Sequence, residues 1–162
     1  MTNNGISITL DGDWERLQRC LFGLANNLNP DFIAQFDEDG EFVVEKMKGH
    51  IAAQDLGWAP LSPNTIRLKG HSTIYVETGT IYGSIEAKKI SSGAGGCTII
   101  VGVPAGAGHP SGYSMGTIMG WLEYGTSKQP PRPLIRPVYD EVQSILQEHW
   151  KSLFLDEVHR YA

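Results

Sequence analysis

The chain has few of the features that would place it in a membrane or an oxidising compartment. Its 162 residues include only two cysteines, and no stretch approaches the roughly 20 consecutive apolar residues that a membrane helix needs. The polar start MTNNG does not resemble a signal peptide. Cys20 falls in a helical pattern and Cys97 in a strand pattern. We expect buried free thiols, suited to a reducing cytoplasm, in preference to a disulfide.

Motifs that carry nucleotide, metal or nucleophile chemistry are also scarce. The five histidines never fall at a metal-ligand spacing such as H-x-x-x-H. No Gly-Lys-Ser/Thr follows the glycine-rich stretches at 93–96 and 102–112, so nucleotide binding is not expected. Ser111 and Ser114 lie in a loop in which no partner base stands out. We therefore expect a protein that is not an enzyme and that uses no cofactor or metal.

The composition indicates one globular domain over residues 1–162. Hydrophobic residues make up 41% of the chain and charged residues 19%, which excludes disorder. The charge is uneven: residues 1–55 hold ten acids and four bases, a net of −6, whereas residues 56–136 hold three acids and seven bases, a net of +4. Such segregation favours head-to-tail assembly. Solvated acidic helices around a neutral sheet are the alternative explanation.

Hydrophobic spacing predicts helices at both ends and a hairpin between them. A strand at 5–10 and an amphipathic helix from Trp14 come first; Asn29-Pro30 should end this helix. A second helix follows, with a bend or break near Gly40.

Farther along, a short helix is expected at 63–69, hairpin strands at 85–91 and 97–103, and a long final helix from Val138. The predicted fold class is α+β, with a small, mostly antiparallel β-sheet packed against two N-terminal helices and a long C-terminal helix.

The stretch Trp121–Pro137, WLEYGTSKQPPRPLIRP, has the most distinctive local chemistry. Its prolines fix φ near −65° and bias their neighbours to extended shapes; they are Pro130, Pro131, Pro133 and Pro137. We expect an extended strap from which Arg132 and Arg136 project. Arginine suits bidentate contacts with carboxylate or phosphate, and a stiff strap loses little entropy on docking. These properties suit an attachment device, although an intramolecular salt bridge would also explain both arginines.

Three motifs in order are similar to those of a known family. They are WAPLSPNT at 58–65 followed by Lys69, ETGTIYGSI at 77–85, and LEYGT at 122–126 followed by PRPLIRP at 131–137. Together they resemble the small neck and tail-completion proteins of tailed bacteriophages, including the virion-morphogenesis group of Mu-like phages. Leu134 and Val138 stand where that family usually has Phe and Ala, and the glycine-rich insert at 104–116 is longer than the family pattern.

The resemblance implies a structural virion protein that completes the tail or joins it to the head. It would act as a ring of copies bound to the head–tail connector or adaptor and to the tail tube, located in the virion neck or tail after synthesis in the host cytoplasm. DNA would pass nearby, although the sequence pI of about 5.5 argues against sequence-specific binding. No membrane contact is expected.

The same resemblance assigns two sets of residues. The candidates for assembly contacts are Glu123, Tyr124, Arg132, Leu134 and Arg136. The candidates for turns and local structure are Gly79, Tyr82, Gly125, Pro131, Pro133 and Pro137. Leu134 and Ile135 are expected to pack the strap on the sheet.

An alternative function belongs to a different class. The glycine-rich loop Gly102–Gly116 would close as a lid over a pocket in a monomeric ligand-binding or hydrolytic domain. This hypothesis predicts a concave pocket lined with polar groups beside the loop.

Overall fold

The computed structural model describes residues 14–76, 79–93, 96–104 and 106–161, without the side chains of 14, 16–17, 19–21, 23–29, 92–93, 96 and 161. The strand predicted at 5–10 lies outside the described residues. The described residues form seven elements, in chain order α1 (Trp14–Ala53), α2 (Pro63–Lys69), α3 (Thr80–Ser84), β1 (Glu86–Gly93), β2 (Gly96–Gly102), α4 (Met115–Tyr124) and α5 (Ile135–Tyr161).

The predicted α+β class is confirmed, with helices at both ends of the chain and an antiparallel hairpin between them. The strands pair from Glu86 opposite Gly102 to Gly93 opposite Gly96, with an irregularity in the register between Lys89 and Ser91. None of the described helices is both long and apolar enough to cross a membrane.

The two predicted N-terminal helical segments are both helical, but they continue as the single 40-residue helix α1. The break expected at Pro30 is therefore absent. Proline removes one helical hydrogen bond, and packing beyond it offsets this loss: the rings of Phe32 and Phe36 lie 5.3 and 4.1 Å from the ring of Trp150 in α5. Tertiary packing of this kind supplies most helical stability in proteins.

Gly40 also fails to break α1, and its role is close packing. A Cβ at this position would lie 3.0 Å from the Cβ of Ala87 in β1 and 3.2 Å from Cγ2 of Ile99 in β2. The missing side chain lets the hairpin approach α1. A glycine that costs helix propensity therefore brings the two layers of the fold together.

The core lies where α1, α5, the hairpin and the segment after α2 meet. Its buried apolar side chains are Val44, Met47, Ile51, Ile74, Tyr75, Ile81, Ile85, Met119, Leu134, Val138 and Val142. Buried Asp39 of α1 ties α5 to this core, because its carboxylate accepts a hydrogen bond from Trp150 Nε1 at 2.9 Å and lies 2.9 Å from His149 Nδ1.

A second polar tie joins the end of α1 to α5. His50 Nδ1 lies 2.7 Å from Asp55 Oδ1, and His50 Nε2 lies 2.7 Å from Glu141 Oε2. Lys46 Nζ approaches the other oxygen of Glu141 at 2.7 Å. Hydrogen bonds to Asp55 first and Glu141 second raise the pKa of His50. Hydrogen bonds from Lys46 first and His50 second lower the pKa of Glu141.

These shifts fix how the tie depends on pH. The folded-state pKa of His50 is raised above 6.5, so its contribution to stability is complete below pH 6.5 and is lost as pH rises through the folded pKa. The folded-state pKa of Glu141 is lowered below 4.5, so its contribution is present above pH 4.5 and is lost as pH falls through the folded pKa. The contacts of His50 and Glu141 therefore stabilise the fold most between pH 4.5 and pH 6.5.

We predict that His50→Gln lowers the free energy of unfolding more at about pH 5.5 than at about pH 8.5. The difference should stay below about 1 kcal/mol, because solvent reaches this cluster and screens it. Urea denaturation of wild type and variant at both pH values measures it. His159→Gln, at an exposed position of α5, is the control for loss of a histidine. An equal loss of stability at both pH values would show that the charge of His50 does not contribute to its contacts with Asp55 and Glu141.

Candidate assembly site

The central feature of the site is the buried carboxylate of Glu123 at the end of α4. Its Oε2 accepts hydrogen bonds from the backbone N–H groups of Leu134 at 2.7 Å and Ile135 at 2.9 Å, and its Oε1 accepts one from Arg136 N–H at 2.9 Å. Val138 N–H donates to the carbonyl oxygen of Leu134, the residue directly before α5, at 3.2 Å. Glu123 is therefore a long-range cap for the N-terminus of α5, which also favours negative charge.

This cap explains a departure from the predicted strap. Arg136 and Pro137 lie in the first turn of α5, so the extended segment ends at Leu134. The first turn of a helix has N–H groups without helical partners, and a proline there gives up nothing. Three of these N–H groups donate to the Glu123 carboxylate, and the fourth residue, Pro137, has no N–H. The first turn of α5 therefore has no N–H donor without an acceptor.

Gly125 makes the turn that brings the strap back to α4. Its φ is 75°, and a Cβ there would lie 2.8 Å from the backbone nitrogen of Pro131. Behind it, Arg132 N–H donates to Leu122 O at 2.6 Å, and Thr126 N–H donates to Gln129 O at 2.9 Å. Glycine is required here both by backbone conformation and by space.

Arg132 does not project from the strap as the sequence analysis expected; only 4% of it is exposed. Its Nε donates to Ala59 O at 2.7 Å and its Nη2 to Pro60 O at 3.1 Å. The guanidinium thus binds main-chain carbonyls of the first motif. The sequence analysis had expected either a projecting side chain or an intramolecular salt bridge. A charge reversal at Arg132 would bury an anion against carbonyl oxygens, so it would perturb the fold and is no clean probe of assembly.

Two aromatic side chains hold the strap from the other side. Trp58 Nε1 donates to Pro133 O at 2.6 Å, and the Tyr75 hydroxyl donates to Arg132 O at 2.7 Å. The Tyr75 backbone has φ 67°, a region that costs a non-glycine residue about 1–2 kcal/mol. Burial first, and the charge of Glu123 second, raise the pKa of the Tyr75 phenol, which keeps it a hydrogen-bond donor.

The remaining sequence candidates divide into buried and exposed groups. Leu134 is fully buried in the core, whereas Ile135, expected to pack beside it, is about half exposed. Tyr82 is half-buried against the core, and Gly79 is the N-cap of α3 with φ 72°. Pro131 lies against Gly125. The strap is thus fixed largely through its main chain.

An exposed groove forms where α4 ends and α5 begins. It has a volume of about 390 Å³ and is lined by Glu123, Tyr124, Pro133, Ile135, Arg136 and Tyr139. We call the four exposed side chains Tyr124, Ile135, Arg136 and Tyr139 the strap patch. Tyr124 is 84% exposed. Arg136 pairs with Asp140 at 3.4 Å on the surface, an arrangement worth little energy.

Sequence reasoning missed several members of this site. Tyr139 was not a candidate, although it follows Ile135 at the four-residue spacing that puts two side chains on one helix face. Tyr75 and the capping role of Glu123 depend on contacts between distant segments, and no local signal marks them. Trp58 was quoted as part of a motif but given no role.

A separate pocket of about 290 Å³ lies beside the glycine-rich loop. Its lining is mainly apolar, where the alternative function predicted polar groups, and the loop contributes His109, Ser111 and Tyr113. His109 Nδ1 lies 2.8 Å from Ser111 Oγ and accepts from Ser111 N–H at 3.1 Å. Among the described residues, no carboxylate forms an ion pair with this histidine.

Ser114 lies in a G-x-S-x-G pattern, Gly112 to Gly116, which is typical of hydrolase nucleophile elbows. That elbow holds its serine on a strained turn between a strand and a helix. Here Ser114 has an ordinary extended backbone, φ −70° and ψ 148°, and its Oγ accepts from Thr117 N–H at 3.1 Å as the N-cap of α4. This serine serves as a helix cap.

Among the described residues, no group of three or more His, Cys, Asp and Glu side chains is placed to hold a metal ion. No protein-family model, curated protein or solved structure matches this chain.

We predict that Glu123→Gln lowers the free energy of unfolding by about 2–4 kcal/mol, because buried N–H donors lose a charged acceptor. Chemical denaturation measures the change. The matched control is Glu148→Gln on the exposed face of α5, where the carboxylate pairs with Lys151 at 3.5 Å; it should change stability by less than about 0.5 kcal/mol. Equal effects of the two substitutions would show that the cap contributes nothing beyond a surface charge.

Proposed function

We propose that this protein is a structural component of a tailed-phage virion that completes the tail or joins it to the head, and that it acts as a ring of copies. The observation that carries the proposal is the strap patch, an exposed aromatic and arginine surface on a segment fixed from behind. The contacts are to the connector or adaptor, the tail tube and neighbouring copies. Residence in the virion neck or tail belongs to the same proposal.

The three motifs that resemble the tail-completion family support this reading by packing into one unit. Trp58 of the first motif donates to Pro133 of the third. Ile81 and Ile85 of the second motif share the core with Leu134 of the third. Contacts between motifs more than 40 residues apart in the sequence thus fix the main chain of the strap.

The chemistry of the strap patch suits a protein interface. Tyrosine and arginine are enriched among the residues that dominate binding energy, and a large exposed apolar surface often marks a contact site. Tyr124 and Tyr139 provide aromatic area, Ile135 provides apolar area, and Arg136 provides a charge. The main chain beneath is held by Glu123, so little conformational entropy is lost on docking.

The opposing surface in a neighbouring copy is proposed to be the acidic face of α1. Glu38, Glu41 and Glu45 are exposed there, at three- and four-residue spacing. Contact between two different surfaces of the same chain is heterologous, and heterologous contacts close into rings when the rotation permits. The net charges of the two chain segments have the required opposite signs.

We predict that Arg136→Glu combined with Tyr124→Ser weakens self-association at least about tenfold, because it removes an aromatic anchor and reverses the charge. The monomer should remain folded, since an acidic side chain in the first turn of a helix is favourable. Sedimentation velocity over a range of concentrations measures association, and electron microscopy of phage particles made with the variant measures incorporation.

The control is Lys151→Glu, a charge reversal on α5 outside the strap patch. It should leave both association and incorporation unchanged. Phage particles lacking the protein should appear as filled heads beside separate tails, or as tails of abnormal length. Normal infectious particles without it would overturn the assembly function, and normal incorporation of the double variant would overturn the role of the strap patch alone.

A further inference from the structure

Two residues with unfavourable backbone conformations flank a single contact at the end of α1. Among the described residues, the non-glycine residues with positive φ are Gln54, at 53°, and Tyr75, at 67°. This region favours glycine, and a bulky side chain such as tyrosine is rarely found there. Strained residues persist only where their surroundings hold them, and they are concentrated at ligand clamps and switches. The contact between the two is therefore a candidate conformational device.

The contact is a pair of hydrogen bonds between the Gln54 side-chain amide and the main chain of Ile74. Ile74 N–H donates to Gln54 Oε1 at 2.8 Å, and Gln54 Nε2 donates to Ile74 O at 3.1 Å. The same nitrogen donates to Ile51 O in the last turn of α1 at 2.5 Å. Gln54 thus joins the end of α1 to a backbone segment 20 positions farther along the chain. We call the two hydrogen bonds to Ile74 the Gln54 latch.

Tyr75 connects the Gln54 latch to the strap. Its hydroxyl donates to Arg132 O at 2.7 Å, and its ring lies 5.1 Å from the ring of Trp58. A change of φ at Tyr75 would swing the whole side chain, so the hydroxyl reaches Arg132 only while the backbone keeps its strained conformation. Ile74 directly precedes Tyr75, and the latch fixes both of its backbone polar groups. The latch therefore holds Tyr75 in the conformation that the strap requires.

We propose that the Gln54 latch controls whether the strap is held in its docking arrangement. With the latch closed, Tyr75 stays strained and its hydroxyl binds Arg132. With the latch open, Tyr75 relaxes to negative φ and withdraws from the strap. The strap patch then lies on a less ordered main chain, and docking costs more conformational entropy. The latch thereby sets the fraction of molecules that are ready to assemble, and this last step rests on the proposed function.

Amide hydrogen exchange, followed by NMR on the monomeric protein, tests the latch directly because it measures local opening. Gln54→Ala removes both hydrogen bonds to Ile74. We expect exchange at the Ile74 and Arg132 amides to accelerate at least about tenfold, and exchange at Val142 in the core of α5 to change less than about twofold. Gln143→Ala, at an exposed position of α5, is the matched control for loss of a glutamine amide and should change none of these rates.

Two further variants separate the parts of the device. Gln54→Gly accommodates a φ of 53° but lacks the amide, so it should accelerate exchange at Ile74 and Arg132 as Gln54→Ala does. Tyr75→Phe keeps the ring and the latch but lacks the hydroxyl. It should accelerate exchange at Arg132 and leave exchange at Ile74 unchanged.

Self-association is the second readout. When only a fraction of the molecules is competent to bind, the apparent Kd rises as the inverse of that fraction. Gln54→Ala should therefore raise the apparent Kd of association about three- to tenfold in sedimentation velocity, although it alters no residue of the strap patch. A wild-type protein that does not associate would overturn the proposed function, and the exchange measurement would still decide whether the latch exists.

Four outcomes overturn the proposal. Unchanged exchange at Arg132 in Gln54→Ala would show that the latch does not reach the strap. Equal acceleration at Val142 would show a general loss of stability in place of a local opening. Unchanged exchange at Ile74 in Gln54→Gly would show that the amide contributes nothing. Accelerated exchange with an unchanged apparent Kd would remove the link to assembly.

Discussion

The interaction on which the rest of the structure depends is the carboxylate of Glu123 at the N-terminus of α5. Burying a carboxylate costs several kcal/mol, and here the cost is offset by three backbone donors and by the positive end of the helix dipole. The cap fixes the residue at which α5 begins. Leu134, directly before α5, and Val138 and Val142 within α5 then lie in the core.

The same interaction separates the strap into a structural and an exposed half. Arg132 and Leu134 are buried and bind or pack within the chain, whereas Tyr124 and Arg136 stand in solvent. Two arginines four positions apart, alike in the sequence, therefore have different physical roles. One stabilises main-chain carbonyls in a site with little water, and the other is screened at the surface beside Asp140. Only the second can contribute to binding a partner without unfolding the strap.

Sequence predicted best what local chemistry determines. The helix at 63–69 begins at the expected Ser62 cap, and the hairpin strands follow their β-branched and alternating residues. The continuity of α1 through Pro30 and the early start of α5 were not predicted, because each depends on a distant partner, Trp150 in one case and Glu123 in the other. Two of the four side chains of the strap patch, Tyr124 and Arg136, were candidates for assembly contacts from the sequence. Ile135 and Tyr139 were not, because their common helix face depends on the start of α5 at Ile135.

The strap patch and the pocket draw on neighbouring residues of α4, since Trp121 and Leu122 line the pocket while Glu123 and Tyr124 line the groove. The strap itself is held in one arrangement by Trp58, Tyr75, Glu123 and the two carbonyl contacts of Arg132. A partner that docks on the strap patch would therefore meet a main chain that is already ordered, and docking would cost little conformational entropy.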